Sequence, residues 1–297
     1  MLSFLPAPVR GGLALLLILM NTVVFIVPLL VATFLRLLLP LKFWQRGMAA
    51  LLVVIAESWI WVNNAILALT QRLQLDIKGV AGLHYHGWYL VSCNHQSWTD
   101  ILILQRVFNR KIPMLKFFLK QELIWVPLLG VAWWALDFPF MKRYSKEYLA
   151  KHPEMKGKDL ETTKRACEKF SELPVSIMNF LEGTRFTQAK HDQQGSTFQY
   201  LLKPKSGGIA FVLSAMEGKL RSMLDVTLVY HGQDTGLWDF LCGRTGRISV
   251  RVIEREIPEE LAIGDYEGDP EFRGRFQAWV TGLWQEKDEL IARVKQD

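Results

Sequence analysis

Two long apolar stretches open the chain, and short alternations follow them. Residues 11–35 contain no charged side chain, a span of 25 positions bounded by Arg10 and Arg36. A helix of that length is about long enough to cross the hydrocarbon core of a bilayer, which takes roughly 20 apolar residues. The run exceeds the apolar region of a signal peptide, and residues 36–41 offer no small-x-small cleavage site, so the pattern predicts an uncleaved anchor. A second apolar stretch, residues 48–69, carries Glu57, Asn63 and Asn64. Polar groups at membrane depth are costly. That stretch therefore predicts a helix lying at the interface, or half of a shallow hairpin in one leaflet, with Trp59 and Trp61 at headgroup level. Arg36, Lys42 and Arg46 lie between the two stretches and place their loop on the cytoplasmic side, with the rest of the chain facing the cytoplasm as well.

After Arg72 the period changes. Short apolar runs alternate with helical stretches, the signature of an α/β domain. Residues 88–93, 175–181, 224–230 and 248–253 read as strands. Residues 98–108 and 159–170 read as helices, and so do residues 271–294, where Phe272, Phe276, Trp279, Leu283 and Ile291 recur at near-helical spacing. The expected architecture is a central mixed sheet flanked by helices and preceded by a membrane-embedded helical segment. Residues 1–72 form the anchoring helices, and residues 73–297 form the α/β domain with its C-terminal amphipathic helix. No internal repeat or low-complexity segment interrupts this order.

Composition narrows the partners. The net charge of +6 and pI of about 9.2 suit an anionic partner. Lys and Arg are scattered, with no run of five and no nucleic-acid motif, so lipid headgroups and phosphorylated small molecules come ahead of nucleic acid. Three widely spaced cysteines, Cys93, Cys167 and Cys242, argue against a disulfide framework and a cysteine zinc site, and point to a reducing compartment. His84, His86, His152, His191 and His231 show no metal-ligand grouping, and His84-x-His86 reads as an exposed turn.

The segment that carries chemistry is Asn94-His95-Gln96-Ser97-Trp98-Thr99-Asp100. A histidine just past a strand, with an aspartate five positions on in the first turn of a helix, lets the carboxylate reach one imidazole nitrogen. The aspartate then fixes the tautomer, and the other nitrogen is left to take a proton from an alcohol. The competing reading is a capping interaction in which Ser97 or Asp100 satisfies helix N-terminal amides. A second element, Glu182-Gly183-Thr184-Arg185, follows a strand directly. Gly183 permits an unusual turn, Arg185 offers a planar fork for phosphate, and Glu182 orients a donor; an ordinary strand-end turn is the alternative. Cys93, two residues before His95, reads as a small buried hydrophobe rather than a nucleophile.

Taken together, H-x-x-x-x-D followed some 80 residues later by E-G-T-R resembles the glycerolipid acyltransferase family that includes 1-acyl-glycerol-3-phosphate acyltransferases. Lys120-Gln121-Glu122-Leu123 with Pro127 and Gly130 resembles the block K-x-E-L-x-x-x-P-x-x-G, and Phe140-Met141-Lys142-Arg143 the block ending F-x-x-R. Val226-Thr227-Leu228-Val229-Tyr230 stands for the hydrophobic strand of the fourth block, with Tyr230 where proline is common. The extended Glu182–Thr187 segment with Lys190, and Asp225 before the fourth block, is similar to a bacterial inner-membrane subgroup. The resemblance covers residues 83–232.

That resemblance implies His95 as general base and Asp100 as its orienting partner. It implies Lys120, Arg143, Glu182, Gly183, Thr184 and Arg185 in acceptor binding. The acyl thioester, acyl-CoA or acyl carrier protein, is a co-substrate, and no metal or bound cofactor is implied. The expected reaction places a fatty acyl group on the sn-2 hydroxyl of a lysophospholipid, first of all 1-acyl-sn-glycerol 3-phosphate. Its partners are these substrates and membrane lipids. A different lysophospholipid headgroup, a lipid hydrolase and a non-catalytic lipid-binding protein are the alternatives. The hydrolase would want a nucleophile near His95, where Ser97 is the sole serine and no G-x-S-x-G elbow exists.

Overall fold

A computed structural model of the protein describes residues 2, 4–141, 174–232 and 235–296. The expected helix at residues 159–170 and Cys167 lie outside the described residues. The chain begins with two long helices, α1 (Ala7–Leu38) and α2 (Lys42–Thr70), packed against each other as a hairpin. Both are long and apolar enough to cross a membrane.

Their polar residues decide which faces meet. Asn21 donates to the Asn63 side chain at 2.8 Å and to the Trp59 carbonyl at 3.1 Å, and the Trp59 indole donates to Thr22 at 3.2 Å. Glu57 also turns inward, where Tyr85 donates to it at 2.8 Å. Trp59 is thus held against α1, whereas Trp61 is exposed. On the opposite face of α1, Leu16, Leu19, Val23, Val24, Val27 and Phe34 are all more than half exposed.

Strands β1 (Gln74–Lys78), β2 (Tyr89–Cys93), β3 (Leu115–Phe117), β6 (Ser176–Phe180), β7 (Ser222–Tyr230) and β8 (Arg247–Glu256) form one sheet in the order β1-β8-β7-β2-β6-β3. Pairing is parallel except between β7 and β8, so the sheet is mixed, as the alternation predicts. Two short strands, β4 (Leu119–Lys120) and β5 (Phe140–Met141), pair apart from it.

Side chains alternate across this sheet. Tyr89, Val91, Cys93, Leu224, Val226 and Leu228 face α3 (Thr99–Phe108) and the start of α1. Leu90, Met223 and Val229 face the other side. There the C-terminal helix (Pro270–Gln296) lays down Phe272, Phe276, Leu283 and Ile291 of the periodic face read from the sequence, joined by Val280 and Trp284, while Trp279 of that face is only partly buried. Lys287 of that helix is wholly buried and meets Asp225 of β7 at 2.5 Å and the Val226 carbonyl at 2.6 Å. A buried cation is tolerated only with such partners.

Helices α4 (Leu129–Ala135), α5 (Gln188–Gln194), α6 (Gly207–Ala215), α7 (Leu237–Leu241) and α8 (Glu259–Ala262) fill the connections. The N-terminal hairpin does not stand away from this body. Ala14 packs with the β2–α3 layer, while Ile26, Leu29 and Ala32 pack near Ala135 and Leu136. Arg36 at the hairpin's turn pairs with Asp137 at 2.8 Å. Both ends of the hairpin therefore touch the α/β layers.

Candidate active site

The carboxyl ends of the parallel strands β2, β6 and β7 converge, the place where open α/β sheets hold ligands. Asn94, the residue after β2, is wholly buried and spends its side-chain amide on β7. Its Nδ2 donates to the Leu228 carbonyl at 2.9 Å and its Oδ1 accepts from the Leu228 amide at 2.8 Å. The side chain copies a strand residue's two ladder bonds, so the chain leaves the sheet at a fixed point and His95 starts from a fixed base.

The backbone of His95 is gripped from the other side by the turn after β6. Its amide donates to Glu182 Oε1 at 3.2 Å, and its carbonyl accepts from the Phe186 amide at 2.7 Å. The imidazole lies flat on Phe180, centroids 3.9 Å apart with planes at 14°. Its Nδ1 is 2.8 Å from Asp100 Oδ2, which leaves Nε2 for the adjoining cavity. Asp100 has no exposure. The same Oδ2 accepts from the amides of Gln96 and Ser97 at 2.7 and 2.9 Å. The helix-end contact belongs to Ser97, whose Oγ accepts from the Thr99 amide at 3.2 Å, while Asp100 holds the loop before α3 and meets the imidazole with the same oxygen. Its other oxygen, Oδ1, accepts from the Tyr230 hydroxyl at 2.5 Å.

Beside His95 opens a cavity of about 900 Å³ between the N-terminal hairpin and the α/β layers, within the range of ligand pockets. One stripe of α3 and its approach lines it, namely Trp98, Ile101, Leu102, Gln105, Phe108 and Asn109, at spacings of three and four. α3 has 10 residues, so this wall runs about 15 Å from His95. Phe25, Ile26 and Leu29 of α1 and Ile55 and Ile60 of α2 close it on the other side.

Lys120, Gly183, Thr184 and Arg185 all line this cavity. Gly183 sits at φ +68° in the left-handed region, where a side chain is strained. Arg185 is exposed and rests on the Trp98 ring, 4.7 Å from its centroid. Lys190 ties the turn together, donating to Thr184 Oγ1 at 2.8 Å and to the Arg185 carbonyl at 3.0 Å. Glu182 stands apart from that group. It is wholly buried behind the His95 loop and braces it instead of facing the cavity. Burial pushes its carboxyl up to about 8, against the amides of His95 and Leu202. Arg143 lies outside the described residues.

Three contributors have no catalytic or binding signature in the sequence pattern. Lys205 lines the cavity, and its chain passes Gly183 closely enough that a Cβ there would meet its Cδ at 3.3 Å. Phe180 supplies the platform for the imidazole, and Tyr230 the second hold on Asp100. Only the strand alternation of β6 and β7, which sets the face of each terminal residue, carried a signal for the last two.

Neither candidate nucleophile near His95 is free to act as one. The Ser97 hydroxyl is buried and donates to the Thr235 carbonyl. The Cys93 thiol is wholly buried, which pushes it well above its ordinary value. Among the described residues no group of three or more His, Cys, Asp or Glu side chains is arranged to hold a metal ion.

The fold and this site define a class. The acyltransferase family profile matches residues 75–231, more than half of the chain, and the chain belongs to that family. Among particular relatives, human 1-acyl-sn-glycerol-3-phosphate acyltransferase gamma is 27% identical over 187 residues, covering 59% of this chain and 44% of that protein. The 2-acyl-1-lysophosphatidylinositol acyltransferase of Saccharomyces cerevisiae is 22% identical over 284 residues, covering 82% of this chain and 71% of that one. The chain thus spans about half the length of the gamma-type relatives it matches. The crystal structure of the 1-acyl-sn-glycerophosphate (LPA) acyltransferase PlsC from Thermotoga maritima has the same fold, with a TM-score of 0.55 at 16% identity over 95% of this chain and 98% of that one.

Proposed function

We propose that the protein is a membrane-bound acyltransferase. It moves a fatty acyl group from an acyl thioester to the sn-2 hydroxyl of a lysophospholipid, first of all 1-acyl-sn-glycerol 3-phosphate, giving phosphatidic acid. The observation that carries this reading is the opening of an apolar cavity onto the free nitrogen of a buried His–Asp pair, with cations beside it.

His95 Nε2 takes the proton of the acceptor hydroxyl as its oxygen attacks the thioester carbonyl, and Asp100 stabilises the imidazolium that forms. The carbon–sulfur bond then breaks, and the proton passes from His95 to the departing thiolate of coenzyme A or acyl carrier protein. The apolar wall along α3 takes an acyl chain. Lys120, Arg185 and Lys205 face the phosphate, with Arg185 offering the planar fork. Arg143 and Thr184 belong to the same acceptor site, and Gly183 keeps its turn open. Neither a metal nor a bound cofactor takes part.

The exposed apolar face of α1 lies in lipid. Because both ends of the hairpin touch the body, the hairpin enters one leaflet and the α/β domain stays on the cytoplasmic side, the side of the Arg36, Lys42 and Arg46 cluster. Lipid substrates then reach His95 without passing through water.

The test offers the detergent-purified protein a labelled acyl-CoA or acyl carrier protein with lysophospholipids of different headgroup. Diacyl product that requires an acceptor, with the phosphate monoester preferred, supports the reading. Preference for an inositol-bearing acceptor replaces the headgroup assignment, and free fatty acid released equally without acceptor supports a hydrolase and overturns transfer.

A further inference from the structure

The two oxygens of Asp100 are held unequally. Oδ2 accepts from His95 Nδ1 and from the amides of Gln96 and Ser97. Among the described residues Oδ1 has one donor, the Tyr230 hydroxyl at 2.5 Å. The final torsion of an aspartate is broad and roughly two-fold, so three bonds to one oxygen do not by themselves stop the carboxylate turning. A bond to the other oxygen does.

The direction of that bond follows from donor inventory. An ionised carboxylate only accepts, so the phenol donates to Asp100. Its one proton is then committed, and the Thr99 hydroxyl, 2.8 Å away, donates to the phenol oxygen. Thr99 has no exposure and Tyr230 only 6%, so water does not substitute for either. Burial and the Asp100 charge push the Tyr230 phenol well above its ordinary value, and it remains a donor at any pH an assay would use.

We propose that Tyr230 is a positioning residue for the transfer: its hydroxyl, aligned by Thr99, locks the Asp100 carboxylate so that Oδ2 faces His95 Nδ1. This rests on the reading of His95 as general base. The relay runs Thr99 to Tyr230 to Asp100 to His95, and joins the end of β7 to the start of α3 and the loop after β2.

The test is the kinetics of Tyr230→Phe, which keeps the ring in the core and removes only the hydroxyl. The expected result is a fall in kcat of about tenfold with KM for both substrates little changed. The acid limb of the kcat/KM profile moves to lower pH, since a carboxylate that swings off Nδ1 no longer stabilises the imidazolium. Thr99→Val shows a smaller change in the same direction, and Thr99→Ser behaves as wild type. If Tyr230→Phe does not fold, the Thr99 pair carries the same test.

An acid limb that stays in place, whether kcat is retained or lost, overturns the proposal, because a merely structural role leaves the limb unmoved. His95→Ala in parallel separates the two ideas. Full activity in that variant overturns the base assignment and the proposal with it. An inactive His95→Ala beside an unaltered Tyr230→Phe overturns the proposal alone.

Discussion

Glu182 shows how one buried side chain can brace a site from behind. It accepts from the His95 amide, and burial raises its carboxyl from an ordinary 4.5 to about 8. Between those values the folded protein keeps a proton that the unfolded chain releases. The resulting stability is present in full below the ordinary value and is lost as pH rises through the folded one. The midpoint of thermal unfolding should therefore fall more steeply between about pH 5 and pH 8 in the wild type than in Glu182→Gln, which keeps an acceptor and does not titrate. Parallel curves would contradict a protonated Glu182. His95 and Asp100 were legible in the sequence because five residues of local chain bring them together. Phe180 and Tyr230 reach the same pair from 85 and 130 residues further along, and no local pattern encodes those contacts. The resemblance grouped Glu182 with acceptor-binding residues, but which way a side chain turns at a strand end is set by the packing behind it.

At the scale of elements, α3 carries two functions on one helix. Its first turn presents Asp100 to His95, and the stripe through Ile101, Leu102 and Gln105 lines the cavity. A bulkier residue on that stripe shortens the space without disturbing the Asp100 contact. Ile101→Trp should cut kcat/KM for the longest acyl donors by about tenfold, on a burial value near 0.8 kcal/mol per methylene, and spare short ones; a donor series with unchanged preference would place the chain elsewhere. The strands at residues 88–93, 175–181, 224–230 and 248–253 were readable because they are buried apolar runs bounded by turns, and the structure shifts their ends by a few residues. The C-terminal helix was readable from its period. The packing of α1 and α2 along the body was not, since an apolar face looks the same in sequence whether lipid or protein covers it. Asn21, Asn63 and Glu57 mark the protein-facing side only once their partners are known.

The whole molecule is an α/β layer with a helical hairpin laid against it, and the cavity exists only because both are present. The face of α1 turned away from the body is apolar along its length, and the net charge of +6 favours an anionic surface. Membranes from cells making the protein should retain it through an alkaline carbonate wash and release it to detergent. Release by carbonate or by salt alone would mean surface attachment and contradict an embedded hairpin. The central claim is that His95 deprotonates the acceptor in this cavity, and the most direct measurement is acceptor-dependent transfer by wild type and His95→Ala, each shown to be folded. The account predicts a loss of at least about 10²-fold in kcat, the usual share of a general base, with the protein still stable. Transfer at the wild-type rate by folded His95→Ala would contradict it.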